Sequence, residues 1–254
     1  MLTKRELKYY SSLNKVKYRK IEQKFIVEGI KLVDEAINSN FDCEVIIASD
    51  SFSKTHSQIL NKYKHSTIVQ VIPGNDFETI ADTHTPQGIL AIMEIPLQRY
   101  IDETKDCTIV ALENISDPGN VGTIMRTCDW FGIKDIIISS NSVDIYNPKV
   151  IRSTMGSLFH LNIYVSENIY GTLKTLQKNG KQILCSDMNG ENVYTFSKNK
   201  SSVLVFSNEA NGPSEKLIEI ADSKITIPKF GEAESLNVST AAAVIISEFV
   251  KQLK

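Results

Sequence analysis

The sequence predicts an α/β fold in two domains, and three observations predict it. Short apolar runs alternate with helical patterns along all 254 residues. Apolar strands set between helices imply a parallel sheet covered on both faces. Between the halves lies "PLQRYIDETKDC" (96–107), a polar stretch opened by Pro96 and poor in apolar residues, which reads as a linker. The boundary is therefore set near residue 97, giving domains 1–97 and 98–254.

Taken in order, Thr3 and Glu6 form a Thr-x-x-Glu capping box that predicts a helix starting near Arg5. "FIVEG" (25–29) reads as a strand, "IKLVDEAINSN" (30–40) as a helix and "EVIIAS" (44–49) as a strand. "KTHSQILNKYK" (54–64) is a helix, and "STIVQVI" (66–72) and "GILAIMEI" (88–95) are strands. The second half opens with the strand "CTIVALEN" (107–114). The helix "NVGTIMRTCDWFG" (120–132) follows, with Val121, Ile124, Met125 and Cys128 on one face and Gly132 as its stop. Next come a strand at 134–140, a short helix at 147–157, a strand at 159–165 and a helix at 168–180 closed by Gly180. "KQILCSD" (181–187) and "SVLVFSN" (202–208) are strands, "PSEKLIEIAD" (213–222) is a helix and "KITIP" (224–228) a strand. "STAAAVIISEFVKQLK" (239–254) is the last helix.

Composition narrows the class. With 42% hydrophobic and 23% charged residues the chain is an ordinary globular protein. No apolar run approaches the ~20 residues of a membrane span, and the N-terminus lacks the apolar core of a signal peptide. Cys43, Cys107, Cys128 and Cys185 are far apart, with no metal-ligand spacing, and the four histidines are scattered. A cytoplasmic protein without a metal is expected. The net charge of −2 hides an asymmetry: residues 1–24 carry +6 and the remainder −8. Lys15, Lys17, Arg19 and Lys20, with Tyr9, Tyr10 and Tyr18 interleaved, suit a phosphate backbone and exposed bases. A merely solvated helix has the same composition.

Ligands of open parallel sheets bind beyond the carboxyl ends of the strands. Three such ends are polar and rich in turn residues: "ENISDPGN" (113–120), "SNEANGPS" (207–214) and "KFGEAESLNVS" (229–239). No Gly-x-Gly-x-x-Gly, Walker A sequence or Gly-x-Ser-x-Gly is present, which argues against a nicotinamide dehydrogenase, a phosphate-cradling NTPase and an elbow hydrolase.

"NVGTIMRT" (120–127), "SNEANG" (207–212) and "SLNVSTAAA" (235–243), in that order, resemble the three motifs of the SpoU (TrmH-type) RNA 2′-O-ribose methyltransferases of the SPOUT superfamily. The resemblance covers about residues 108–252. "FIVEGIKLVDEAI" (25–37) resembles the substrate-binding domain, similar to ribosomal protein L30e, that precedes the catalytic domain in many members. The resemblance implies a C-terminal trefoil-knotted parallel-sheet methyltransferase domain after a smaller L30e-like RNA-binding domain. It also implies S-adenosylmethionine in the knotted loops and a homodimer with the active site at the subunit interface. Pattern reading alone would exclude a knot.

By the same resemblance, Arg126 activates the ribose 2′-OH with the substrate phosphate taking part. Because free guanidinium does not deprotonate at neutral pH, gripping the phosphate and stabilising the developing alkoxide suits it better than acting as a base. Asn120 supports the arginine or the target nucleotide, and as a turn residue it also reads as an N-cap. Glu209 organises the knot loop and the arginine, or is a surface acid. Ser235 and Asn237 shape the pocket, or cap the last helix. The cofactor-binding positions correspond to Ser207, Ile227 and Leu236, with Gly212 supplying an unusual backbone angle. Ser207 departs from the glycine of many members, and its side chain either narrows the pocket or points away. The expected function is methylation of a ribose 2′-OH in structured RNA, rRNA ahead of tRNA. An RNA-binding protein that keeps the fold without turnover is the alternative, and methylation of a protein a third reading.

Overall fold

The computed structural model describes residues 2–97, 100–208 and 211–253. They form two compact units, Met1–Leu97 with Asp144–Phe159, and Gln98–Val143 with His160–Lys254. The expected boundary near residue 97 thus needs one correction, because residues 144–159 belong with the first unit. Their attachment is specific. Arg19 pairs with Asp144 at 2.6 Å and Arg152 with Asp82 at 2.7 Å. The ring of Tyr146 lies 4.6 Å from that of Phe25, and Phe159 meets Phe41 edge-on at 5.2 Å.

In the first unit, α1 (Lys4–Ser12) starts at the capping box the sequence announces, with Thr3 and Glu6 bonding reciprocally. It is followed by α2 (Val16–Glu22), β1 (Lys24–Glu28), α3 (Ile30–Ile37), β2 (Cys43–Ser49), α4 (Asp50–Thr55), α5 (Ser57–Tyr63), β3 (Ile68–Ile72), α6 (Gly74–Ile80) and β4 (Ile89–Glu94). The single helix expected at 54–64 is two helices, broken at His56, whose φ of −126° and ψ of 36° leave the helical region. The sheet order is β1-β4-β2-β3. It is mixed rather than parallel: only β2 and β3 run together, and β4 opposes both its neighbours. The cause lies at the entry to β4. Gly29 N donates to Ile89 O at 3.0 Å and Ser49 N to Gly88 O at 2.8 Å. The chain thus rejoins the sheet where β1 and β2 leave it, and must run backwards. Ile26, Ile47, Leu90 and Ile92 pack with Leu13 and Phe77 into one core.

The second unit contains β5 (Ile109–Glu113), α7 (Pro118–Phe131) and β6 (Asp135–Ser139); after α8 (Pro148–Thr154), which lies with the first unit, come β7 (Asn162–Ser166), α9 (Ile169–Lys178), β8 (Gln182–Asn192), β9 (Ser202–Ser207), α10 (Glu215–Ile220), β10 (Ser223–Thr226) and α11 (Val238–Leu253). Its six strands are ordered β10-β8-β9-β5-β6-β7 and all pairs are parallel, as expected. β5, β6 and β9 are buried at every residue, which is why they read as unbroken apolar runs. On one face Ile109, Ala111, Val203 and Val205 meet Leu173, Leu176 and Leu217 of α9 and α10. α11 packs against α7 and β9. No helix among the described residues is long and apolar enough to cross a membrane.

Candidate active site

The strand order creates the place for a site. From β5 the chain moves outward to β6 and β7, whereas from β9 it crosses to β10 at the opposite edge. Connections that leave two neighbouring strands in opposite directions open a crevice at their carboxyl ends. Here those ends carry Glu113 and Ser207, direct partners in the β5–β9 register.

The loops beyond these ends are laced together. Asn114 sits at φ 55°, a left-handed position that asparagine tolerates better than most residues. Its N–H donates to Ser139 Oγ at 2.9 Å, and its carbonyl accepts from Asn208 Nδ2 at 3.1 Å. Asp117 is the N-cap of α7, accepting from Asn120 N at 2.8 Å, with Pro118 in the first turn and Gly132 as C-cap at φ 78°. Asn120 is therefore not the cap, and its side chain is used elsewhere. Its Oδ1 accepts from Asn237 Nδ2 at 3.1 Å. Asn237 is in turn the cap of α11, its Oδ1 accepting from Ser239 N at 2.9 Å and Ser239 Oγ at 2.6 Å. One hydrogen bond thus joins the first and third of the motif segments.

The remaining predicted residues are distributed around that bond. Ser235 and Leu236 are exposed on the segment before α11. From Pro228 to Leu236 no backbone–backbone hydrogen bond is made among the described residues. Ile227 is half-buried where β10 ends. Gly212 has φ 61°, the backbone angle expected of it, and its N–H donates to Asn208 O at 2.9 Å. Ser207 is buried, and among the described residues its Oγ has no hydrogen-bond partner. Glu209 lies outside the described residues. Arg126 is exposed on α7, and among the described residues its guanidinium makes no hydrogen bond or ion pair. Six residues beyond Asn120, it stands about 9 Å along the axis and about 120° around it. Asn120 and Asn237 are thus brought together, and among the described residues no hydrogen bond ties Arg126 to either. One turn further, Trp130 is 84% exposed on the same helix.

Sequence reasoning passed over Glu113, Tyr170 and Ser214. The Glu113 carboxylate, 2% exposed, accepts from Tyr170 Oη at 2.8 Å, from Ser214 Oγ at 2.5 Å and from Ser214 N at 3.3 Å. Ser214 also caps α10. The brace pins the far end of the 208–214 loop to the end of β5. Burial, and then the neighbouring Glu113 carboxylate, push the Tyr170 hydroxyl above its ordinary pKa, so it stays a donor. The available signal was a single carboxylate ending an otherwise apolar strand, "TIVALE".

In the first unit, Lys15, Lys17 and Lys20 are exposed, and among the described residues none makes an ion pair. Arg19, expected beside them on RNA, is instead 2% exposed. Its Nε and Nη2 donate to Asp144 Oδ2 at 2.8 and 2.6 Å and its Nη1 to Leu13 O at 2.9 Å. It faces inward because it lies on the buried side of α2, so it is a structural brace.

Residues 107–247 match the model of the SpoU rRNA Methylase family. The chain belongs to the SpoU rRNA methylase family. Residues 4–91 match the MRM3-like substrate binding domain. The 23S rRNA (guanosine(2553)-2'-O)-methyltransferase of Bacillus subtilis is 28% identical over 242 residues, covering 95% of this chain and 94% of its own. A TrmH-family protein of known structure from Porphyromonas gingivalis is 30% identical, with a TM-score of 0.88 and 99% of each chain covered. An rRNA methyltransferase from Sinorhizobium meliloti, solved with AdoMet bound, is 28% identical with a TM-score of 0.85, over 100% of this chain and 97% of its own. By family the chain is an RNA methyltransferase.

Proposed function

We propose that the protein transfers a methyl group from S-adenosylmethionine to a ribose 2′-OH of structured RNA, ribosomal rather than transfer RNA. Two relatives aligned over most of the chain are named for 2'-O-methylation of 23S rRNA, and others are named tRNA/rRNA methyltransferases. The observation that carries the reading is the Asn237–Asn120 hydrogen bond, which gathers two separate motif segments at the carboxyl end of the sheet. Within the reading, the C-terminal domain is knotted and the N-terminal domain L30e-like.

The crevice residues fit the donor. The buried Ser207 hydroxyl, without a partner among the described residues, the left-handed Gly212 and the main-chain groups of 228–236, which make no backbone–backbone hydrogen bond among the described residues, offer the polar contacts a nucleoside and an amino-acid group need. Ser207, Gly212, Ile227 and Leu236 would hold it. S-adenosylmethionine supplies an electrophilic methyl on a sulfonium. A ribose 2′-OH that accepted this methyl would have to be held in line with it and would have to lose its proton.

Arg126 serves this last demand. Its fork of N–H donors grips the substrate phosphate and lowers the energy of the alkoxide that develops at O2′, while the phosphate assists proton transfer. Asn120, held by Asn237, fixes the start of the helix that carries Arg126, and Ser235 lines the pocket edge. Glu209 organises the 208–214 loop. Arg126 and Trp130, exposed together on α7, suit a homodimer in which the arginine completes a site with a second copy. Lys15, Lys17 and Lys20 contact phosphate.

The test is labelled-methyl transfer to purified rRNA and tRNA, each from a strain lacking the gene, with nucleosides resolved by mass spectrometry. A 2′-O-methylnucleoside in rRNA is expected. A methylated base, a methylated protein or no transfer would refute the reading.

A further inference from the structure

The first unit contains a concave site of which the methyl-transfer reading uses only Lys15. A cavity of about 410 Å³ opens between α1, the start of α2 and α6. Lys4, Lys8 and Lys15 stand on its walls, Leu7 and Thr79 line it, and Tyr18 presents its ring there, 37% exposed. Among the described residues none of the three lysines makes an ion pair, and no carboxylate lines the cavity. Glu6, the acid on α1, is occupied by the helix cap, where it accepts from Thr3 N and Thr3 Oγ1 at 2.7 Å. The wall hydroxyls of Ser11 and Ser12 are turned to the carbonyls of Thr79 and Tyr9. What remains open to a ligand is three cations and an aromatic ring. Lys17 Nζ lies 6.0 Å from the centre of that ring.

We infer that this cavity takes one unpaired nucleotide of the RNA substrate, its base on Tyr18 and the phosphates of the strand on either side of it on Lys4, Lys8 and Lys15. Three ammonium groups without counter-charges match two or three backbone phosphates. An aromatic ring accepts a base face only where the base is out of its duplex, because paired bases are stacked on one another. The volume is at the small end of ligand sites, enough for a nucleotide and too small for a helix. The inference rests on the proposed RNA methylation and assigns the first unit a task within it: gripping a looped-out or single-stranded residue.

The test measures binding, without S-adenosylmethionine, of full-length protein to an eight-nucleotide uridine oligomer and to an RNA duplex of the same total charge. Tyr18→Ala should weaken oligomer binding roughly 10-fold or more, with Tyr18→Phe close to wild type. The triple Lys4→Gln, Lys8→Gln, Lys15→Gln variant should lower the slope of log affinity against log salt by about 2. Unchanged melting temperatures show that the variants fold. With a 4-thiouridine oligomer, cross-linking should fall on the α1–α2 segment. Equal binding by all variants, preference for the duplex with Tyr18→Ala silent, or displacement by millimolar inorganic phosphate alone would each overturn the inference. Oligomer binding that meets these expectations in a protein that methylates no RNA would leave the inference standing and remove the function.

Discussion

Arg19→Ala separates a structural from an RNA-binding arginine. The side chain is 2% exposed and makes three hydrogen bonds, two to the Asp144 carboxylate and one to Leu13 O. Its removal strands a carboxylate that is 20% exposed, which water partly rescues, and a carbonyl in the core. Breaking a buried pair from one side costs about 3–5 kcal/mol. At about 2–4 °C per kcal/mol for a chain of this size, the melting temperature should fall by roughly 6–20 °C. Scanning calorimetry measures the fall, and the salt dependence of RNA binding, taken well below the transition, should keep its slope. Substituting the exposed Lys15, Lys17 and Lys20 should do the reverse, flattening the slope with melting unchanged. An Arg19 variant with an unaltered melting temperature and a reduced salt slope would refute the assignment of this residue to the interior.

Three further outcomes follow from the second unit. Glu113→Gln weakens the charge-assisted bonds to Tyr170 and Ser214, and S-adenosylmethionine should bind about 10-fold more weakly by calorimetry; unchanged affinity would show that the brace does not shape the donor pocket. Asn237→Asp keeps the cap of α11 but loses the donor to Asn120, so turnover should fall with little change in stability, whereas Asn237→Ala should also cost about 1 kcal/mol; equal turnover in Asn237→Asp and wild type would discount the link. Burial alone would raise the Asp135 carboxyl, but Lys105, Asn162 and Tyr164 hold it below the ordinary value. Its stabilisation is full above the unfolded aspartate value near ~4 and is lost as pH falls through the lower folded value. Acid titrations of Asp135→Asn should therefore show a shallower loss of stability below about pH 4; a slope identical to wild type would contradict that direction.

The second unit was legible nearly element by element because its strands are buried on both faces and its helices are amphipathic, so each period matches its environment. The first unit was less so. α2, "VKYRKIE", has no side-chain cap and reads as solvated charge, although one of its cations is interior. The reversal of β4 depends on where the chain re-enters the sheet, which no local pattern encodes. At the site, the motifs named Asn120 and Asn237 but not their bond, since 117 residues separate them. Glu113 escaped notice because its role comes from Tyr170 and Ser214, brought in from two other elements.

Single-turnover methyl transfer by Arg126→Ala, paired with calorimetry of S-adenosylmethionine binding, bears most directly on the mechanism. The guanidinium is exposed on α7 and is assigned to the RNA phosphate rather than to the donor, so transfer should drop by about 100-fold or more while donor affinity stays within twofold. Transfer at the wild-type rate, or a loss explained wholly by weaker donor binding, would contradict the account.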